Sequence, residues 1–267
     1  MKDLNIAYIQ TNLFWEDKTN NLKNLSRLLD QVHPDSNLIL LPETFNTAFP
    51  VDPTRFAEPE EDSLTIDWMR QQAKDHYATI AGTLLTSKDG SYHNTLVWMR
   101  PDGKFYTYYK RHPFSIGGED KLVERGQESL IVNINGWRIK TMVCYDVRFP
   151  VWARNHYRDG QYDYDAAIYL ANFPDSRMVV WNTLLVARAI ENQAYIIGVN
   201  RIGDDPNGLH YSGESQVVDA RGNVISKIAP YEEGVAHCSL SYEKLDSFRK
   251  KFPLGPDGDS FTLNVCH

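Results

Sequence analysis

Three β-rich runs in this chain end on a reactive polar side chain: Leu38-Ile39-Leu40-Leu41-Pro42-Glu43, Phe105-Tyr106-Thr107-Tyr108-Tyr109-Lys110 and Lys140-Thr141-Met142-Val143-Cys144. Singly, each has a plain structural explanation, a solvated charge for Glu43 or Lys110 and inert apolar filling for Cys144. Together they form a chemical kit. A thiol is mostly protonated near neutrality and needs a base before it becomes a nucleophile. A carboxylate such as Glu43 can take that proton and return it to a departing amine, provided burial adjusts its proton affinity. The Lys110 ammonium can stabilise the oxyanion of a tetrahedral intermediate, alongside the backbone N–H of Tyr145 just after the nucleophile. The reaction class that uses all three is acyl transfer to Cys144 followed by hydrolysis of the thioester.

Such a kit works only if distant strands deliver it to one crevice, as the ends of strands do in α/β architectures. Leu4 to Gln10 and Asn37 to Leu41 read as strands, and Leu22, Leu25, Leu28, Leu29 and Val32 recur between them at helical spacing. A second helix is expected from Asp62 or Ser63, turning Leu64, Trp68 and Tyr77 toward a core. Thr79 to Leu85, Thr95 to Arg100 and Lys104 to Tyr109 follow as hairpin strands around Lys88-Asp89-Gly90 and Pro101-Asp102-Gly103.

Trp137 to Val143 and Ala166 to Leu170 read as buried strands, with a helical Val151 to Tyr157 region between them. A long helix is expected from about Ser176 to Ala194. Strands at Tyr195 to Val199, Gln216 to Asp219, Val224 to Ile228 and Val235 to Leu240 come next, then a helix from Tyr242 to Lys251. From about residue 253 the chain reads as an irregular arm rich in Pro and Gly. The expectation is one α/β domain over 1–267, with two mixed sheets packed face to face and helices outside.

Composition narrows the function. The 267 residues carry a formal net charge of -7 with no basic run, which argues against a nucleic-acid partner. No stretch of eighteen apolar residues and no apolar leader is present, so no membrane association and a cytoplasmic location are expected. The three cysteines, at 144, 238 and 266, show no CxxC spacing, so their chemistry is that of free thiols. Neither HExxH nor GxSxG occurs, and the SxxK matches at Ser241 with Lys244 and Ser247 with Lys250 lack companion motifs. No metal and no cofactor are expected.

Leu41-Pro42-Glu43, Tyr109-Lys110-Arg111-His112 and Cys144-Tyr145-Asp146-Val147-Arg148-Phe149-Pro150 resemble, in order and spacing, the three motif regions of the nitrilase superfamily, the carbon–nitrogen hydrolases. The resemblance extends through Ala171-Asn172-Phe173-Pro174, Arg188-Ala189-Ile190-Glu191-Asn192, Val199-Asn200-Arg201 and Tyr211-Ser212-Gly213, nearly the whole chain. It implies a four-layer α-β-β-α sandwich, with Glu43 as base, Lys110 as oxyanion stabiliser and Cys144 as nucleophile. It also implies a further glutamate between the Lys and Cys motifs, seven residues before a glycine. Glu119 stands seven before Gly126 and is the choice, with Glu124 the competitor. Pro113 departs from the leucine usual in relatives and marks the loop after Lys110 as one of different shape.

Tyr145, Arg148, Asn172 and Phe114 are the candidate substrate contacts. For Arg148 a structural pairing with Asp146 is placed ahead of substrate contact, and for Asn172 the alternative is a turn-forming role at a strand end. Within the superfamily, the Cys144 motif with Val151-Trp152-Ala153-Arg154-Asn155 resembles bacterial omega-amidases, which implies 2-oxoglutaramate and 2-oxosuccinamate as substrates. A carboxylate anchor is available among the arginines at 111, 148, 154, 188 and 201. A deaminated-glutathione amidase, an N-carbamoyl hydrolase and an inactive binding module on the same scaffold remain as alternatives. Relatives pair through helices, so at least a homodimer is expected.

Overall fold

The computed structural model describes residues 2–49 and 52–264. Among the described residues, twelve main strands and one short addition build a seven-stranded and a six-stranded sheet. The first contains β1 (Leu4–Gln10), β2 (Leu38–Leu40), β3 (Thr79–Lys88), β4 (Ser91–Met99) and β5 (Phe105–Tyr109). The second contains β6 (Ile131–Ile134), β7 (Trp137–Val143), β8 (Ala166–Ala171), β9 (Tyr195–Asn200), β10 (Gln216–Val218) and β11 (Val224–Lys227). The last strand, β12 (Gly234–Leu240), returns to the first sheet, where the order is β12-β1-β2-β3-β4-β5, with a short Glu58–Pro59 strand beside β3. The second sheet runs β6-β7-β8-β9-β10-β11.

Both sheets repeat one pairing pattern from end to end: antiparallel, parallel, parallel, antiparallel, antiparallel. The two halves are thus topological copies that carry no visible sequence repeat, because each strand need only keep its apolar faces and not its residues.

Strand alternation explains the layering. Ile6, Tyr8, Leu38, Leu40, Leu96 and Trp98 pack in one cluster with Ile139, Ile168, Leu170 and Val217 of the other sheet. The intervening residues Ala7, Ile9, Ile39, Ile80 and Val97 point the opposite way, onto Leu25, Leu28, Ile66 and Met69. Those four belong to α1 (Lys18–Leu29), capped by Asp17, and α2 (Leu64–Asp75), capped by Ser63 accepting from the Ile66 N–H at 3.0 Å. On the far side α3 (Met178–Asn192) covers the second sheet with Trp181, Leu185 and Ala189, and α4 (Tyr242–Lys251) adds Leu245. This is the α-β-β-α sandwich expected from the sequence.

Two local expectations change, and one strand is added. α2 buries Thr65, Ile66, Met69 and Ala73, while Leu64 and Tyr77 are 81% and 87% exposed. The 65/66/69/73 spacing makes a tighter helical stripe than one through Leu64, and Tyr77 lies beyond the helix with φ of +51°. The helix after Cys144 is confined to Pro150–Ala153, since Tyr157–Arg158 pairs with Gln161–Tyr162 in a small hairpin. Strand β6 was not read from the sequence; its half-exposed Ile-Val-Asn-Ile gives only a short alternation at a sheet edge.

The arm after residue 253 keeps one 3-10 turn, Gly255–Asp257, and lies against the 157–162 hairpin, with Phe261 4.7 Å from the His156 ring. Cys238 sits half-buried on β12, and Cys266 lies outside the described residues. No helix among the described residues is long and apolar enough to cross a membrane.

Candidate active site

Glu43 and Asn172 follow the parallel strands β2 and β8, Cys144 follows β7, and Lys110 follows β5. Two come from each sheet, so the residues meet where strand ends of both sheets converge. All four are buried: Glu43 at 0%, Lys110 at 1%, Cys144 and Asn172 at 8% exposure. Lys110 Nζ donates to Glu43 Oε1 at 2.8 Å and to Glu119 Oε2 at 2.7 Å. Glu119 therefore stands in the cluster, whereas Glu124 accepts from Ser91 Oγ at the exposed surface.

The sequence places Glu119 by a close backbone approach. A Cβ at Gly126 would fall 2.0 Å from the Tyr109 carbonyl oxygen, so only glycine lets this segment return to the end of β5. There Gly126 N–H donates to the Lys110 carbonyl at 2.9 Å. Between the two segments, a 3-10 pair at Ser115–Gly117 and Glu119–Lys121 folds the Glu119 carboxylate back onto the Phe114 N–H at 2.6 Å. Pro113 leaves that contact to the next residue, whose N–H it does not remove.

Cys144 adopts φ of +43°, a conformation costly for a non-glycine residue and typical of functional turns. The turn is held by Asp146. Its carboxylate accepts from the Val143 N–H at 2.9 Å, the Tyr108 hydroxyl at 2.8 Å and the His112 N–H at 3.1 Å, and its Oδ1 pairs with His112 Nδ1 at 2.7 Å. One carboxylate thus ties the Cys144 turn to the strand and loop that carry Lys110. Asp146 makes no pair with Arg148. The expected structural pairing gives way to His112, whose Nδ1 takes the carboxylate instead, while Arg148 lies over the Phe173 ring at 6.0 Å.

Burial pushes the Cys144 thiol well above its ordinary range, Glu43 adds to that rise through its charge and a hydrogen bond, and Lys110 opposes it. The resting group is a thiol facing a carboxylate. For Lys110, burial works to remove the proton, but Glu119 and Glu43 outweigh it and hold the ammonium charged far into alkaline pH. The site therefore combines a protonated thiol, an adjacent carboxyl group and a fixed cation.

Above the cluster lies a cavity of about 180 Å³, walled by Trp15, Phe49, Phe114, Tyr145, Phe173 and Tyr211. Phe114 and Tyr145 meet edge to face at 5.1 Å, and Tyr145, Asn172 and Arg148 also line the space. Of the five arginines considered as anchors, Arg148 alone borders it. Arg111 donates to Gly126 O and Gln127, Arg188 to Val147 O and Glu191, Arg154 to Glu191 O, and Arg201 to Leu13 O and Ile202 O.

Arg177, which the motif reading missed, is the second cavity arginine; it stacks over the Phe114 ring at 4.9 Å. A hairpin over 202–212 supplies Asp205, Asn207, Leu209 and Tyr211. Its turn sequence Asp205-Pro206-Asn207-Gly208 is visible, but its facing the nucleophile is not. Among the described residues, no His, Cys, Asp or Glu side chains gather in threes around a metal position.

A sandwich with a buried Glu-Lys-Cys cluster at its strand ends is the framework of the carbon–nitrogen hydrolases, and the carbon–nitrogen hydrolase family model matches residues 5–250. The chain belongs to that family and is a hydrolase of carbon–nitrogen bonds. It is 41% identical to omega-amidase YafV of Yersinia enterocolitica over 98% of this chain and 100% of the relative, and 37% identical to omega-amidase YafV of Escherichia coli K12 with the same coverage. The crystal structure of XC1258 from Xanthomonas campestris, described as a CN-hydrolase superfamily protein with an arsenic adduct in its active site, superposes with a TM-score of 0.96 at 40% identity, covering 99% of this chain and all of that one.

Proposed function

We propose that the protein is an omega-amidase, removing ammonia from the side-chain amide of short 2-oxo dicarboxylic acid monoamides, 2-oxoglutaramate first and 2-oxosuccinamate second. Cys144 Sγ attacks the amide carbonyl carbon while Glu43 takes the thiol proton. Lys110 and the Tyr145 N–H steady the oxyanion. The C–N bond then breaks, the proton on Glu43 goes to the leaving nitrogen, and ammonia departs. Water, deprotonated by Glu43, cleaves the thioester and restores the thiol. Glu119 keeps the Lys110 ammonium charged and oriented through the first and second steps.

The observation that carries this reading is the cavity itself. At about 180 Å³ it is smaller than the ~300–1,000 Å³ of pockets for drug-sized ligands, and it sets Arg148 and Arg177 among aromatic walls. A short acyl chain ending in a carboxylate matches both features, while an N-carbamoyl amine offers the arginines no carboxylate. The high identity to omega-amidases over full length supports the same choice. An inactive binding module would have no use for a protonated thiol beside a buried carboxylate. Ammonia release from 2-oxoglutaramate, deaminated glutathione and an N-carbamoyl amine under one set of conditions tests the assignment. The expected outcome is a preference for 2-oxoglutaramate; a tenfold preference for either competitor, about 1.4 kcal/mol in transition-state stabilisation, overturns it.

The reading extends to assembly and place. Helix α3 is apolar on its outer face, with Val179 82% and Ile190 50% exposed, and Val151 nearby in sequence to the Cys144 turn is 51% exposed. Such surface favours pairing into at least a homodimer, which light scattering at micromolar protein would reveal. A mechanism that runs on a free thiol suits the reducing cytoplasm.

A further inference from the structure

The geometry points to Asn94 as a positioning residue that bridges the two active-site carboxylates and keeps Glu43 available to take the Cys144 proton. This rests on the reading of Glu43 as the base. Asn94 lies on β4, fully buried, and its carbonyl accepts the Lys110 N–H at 2.9 Å, which fixes the two side chains side by side on neighbouring strands. Its single amide nitrogen donates to Glu43 Oε1 at 2.9 Å and to Glu119 Oε1 at 2.9 Å. Lys110 Nζ spans the same pair from the other side. The four side chains form a closed ring in which each carboxylate is held by one cation and one amide.

The ring settles where Glu43 has capacity left. Its Oε1 takes both Asn94 and Lys110, and its Oε2 takes the Asn172 N–H at 2.8 Å, so Oε2 keeps a lone pair that can accept from Cys144, whose thiol also approaches the Asn172 carbonyl at 3.9 Å. Glu119 is filled likewise by Asn94, Lys110 and the Phe114 N–H.

Two carboxylates sharing one lysine in a buried site repel, and such a pair tends to retain a proton between them. The amide of Asn94 can donate one hydrogen to each carboxylate and accept none of their protons, so it favours the doubly ionised pair. The ionisable groups facing Glu43 are Lys110 from the end of β5, Glu119 from the loop after it and Cys144 from the end of β7; Arg148, Arg177 and Asp205 stand across the cavity. With the amide gone, each carboxylate loses one of the hydrogen bonds that its ionised form accepts.

The test is the pH profile of kcat/KM for two variants of near-identical shape, Asn94→Leu, which removes the donors, and Asn94→Asp, which replaces them with a third carboxyl group. The acid limb should move up by about one pH unit in Asn94→Leu and at least as far in Asn94→Asp, as loss of charge-assisted hydrogen bonds implies. Where turnover is too low to follow, the pH dependence of Cys144 alkylation by iodoacetamide gives the same limb, and Asn94→Asp serves if Asn94→Leu does not fold. An activity loss that is uniform across pH in the folded variants, or no loss at all, overturns the inference. Full activity in Glu43→Gln would instead overturn the assignment of the base, which separates the two failures.

Discussion

Asn172 donates its backbone N–H to Glu43 Oε2 at 2.8 Å, and its side-chain nitrogen reaches back to the Glu43 carbonyl at 2.9 Å and to Thr44 Oγ1 at 2.7 Å. A residue at the end of β8 in one sheet thereby fixes the orientation of a carboxylate at the end of β2 in the other. The crevice is therefore stitched across the sandwich and not carried by either sheet alone. Asn172→Ala keeps the backbone donor but frees the Glu43 main chain. Its kcat should fall about tenfold to a hundredfold with little change in KM and an unaltered circular dichroism spectrum.

The raised proton affinity of Cys144 makes its reactivity depend on Glu43. At pH 7 the thiol is protonated, so a small amide-bearing reagent that fits the cavity needs the carboxylate to accept its proton. Iodoacetamide should label Cys144 ahead of the half-buried Cys238, whose thiol is also raised by burial. In Glu43→Gln that lead should shrink by about tenfold or more, read by peptide mapping after timed quenching.

Arg148 and Arg177 are the two arginines that border the cavity. Arg148→Met and Arg177→Met should each lower kcat/KM for 2-oxoglutaramate about tenfold or more, mainly through KM, as loss of a charge-assisted hydrogen bond implies. Hydrolysis of a neutral aliphatic amide of the same chain length should change far less. Equal losses on both substrates would remove the arginines from carboxylate recognition.

Away from the site, Lys140 is buried on β7, with its ammonium 5.7 Å from the Trp152 ring and 5.8 Å from the Tyr164 ring. Burial lowers its pKa from 10.5 to about 8, with Asp163 and Asp146 opposing. Between those two values the unfolded chain holds more protons than the folded one, so this group makes stability rise as pH rises from about 8 to 10.5. Below pH 8 the folded state carries the full cost of the buried charge. Lys140→Met should therefore raise the melting temperature at pH 7, by the equivalent of about 1–2 kcal/mol after losing the ring contacts, and the gain should shrink by pH 10.

The sandwich was legible because its central strands are continuous apolar runs and its turns carry Asp-Gly pairs; Asp89 and Gly90 both take positive φ, as a tight hairpin requires. Glu43, Lys110 and Cys144 were legible for a related reason: each is a reactive polar residue that ends such a run. Glu119 was reached through the family resemblance and its spacing to Gly126, a glycine the fold needs for close backbone approach. What the sequence did not yield is direction. Arg148 was paired with Asp146 because they are neighbours in the chain, yet His112, from another strand end, takes the carboxylate. Asn94 and Arg177 escaped for the same reason. Their roles come from contacts across 51 positions to Glu43 and from a cation stacked on Phe114, which local patterning does not encode.

The proposed reaction forms a thioester on Cys144 during turnover of an ω-amide. Rapid quenching of the enzyme with saturating 2-oxoglutaramate, followed by intact mass and peptide mapping, should find the 2-oxoglutaryl group on the peptide that contains Cys144. Its formation should accompany ammonia release, and both should be absent from folded Cys144→Ala. Undiminished ammonia release by Cys144→Ala, or turnover in the wild type with acylation mapped to another residue, would rule out Cys144 as the nucleophile.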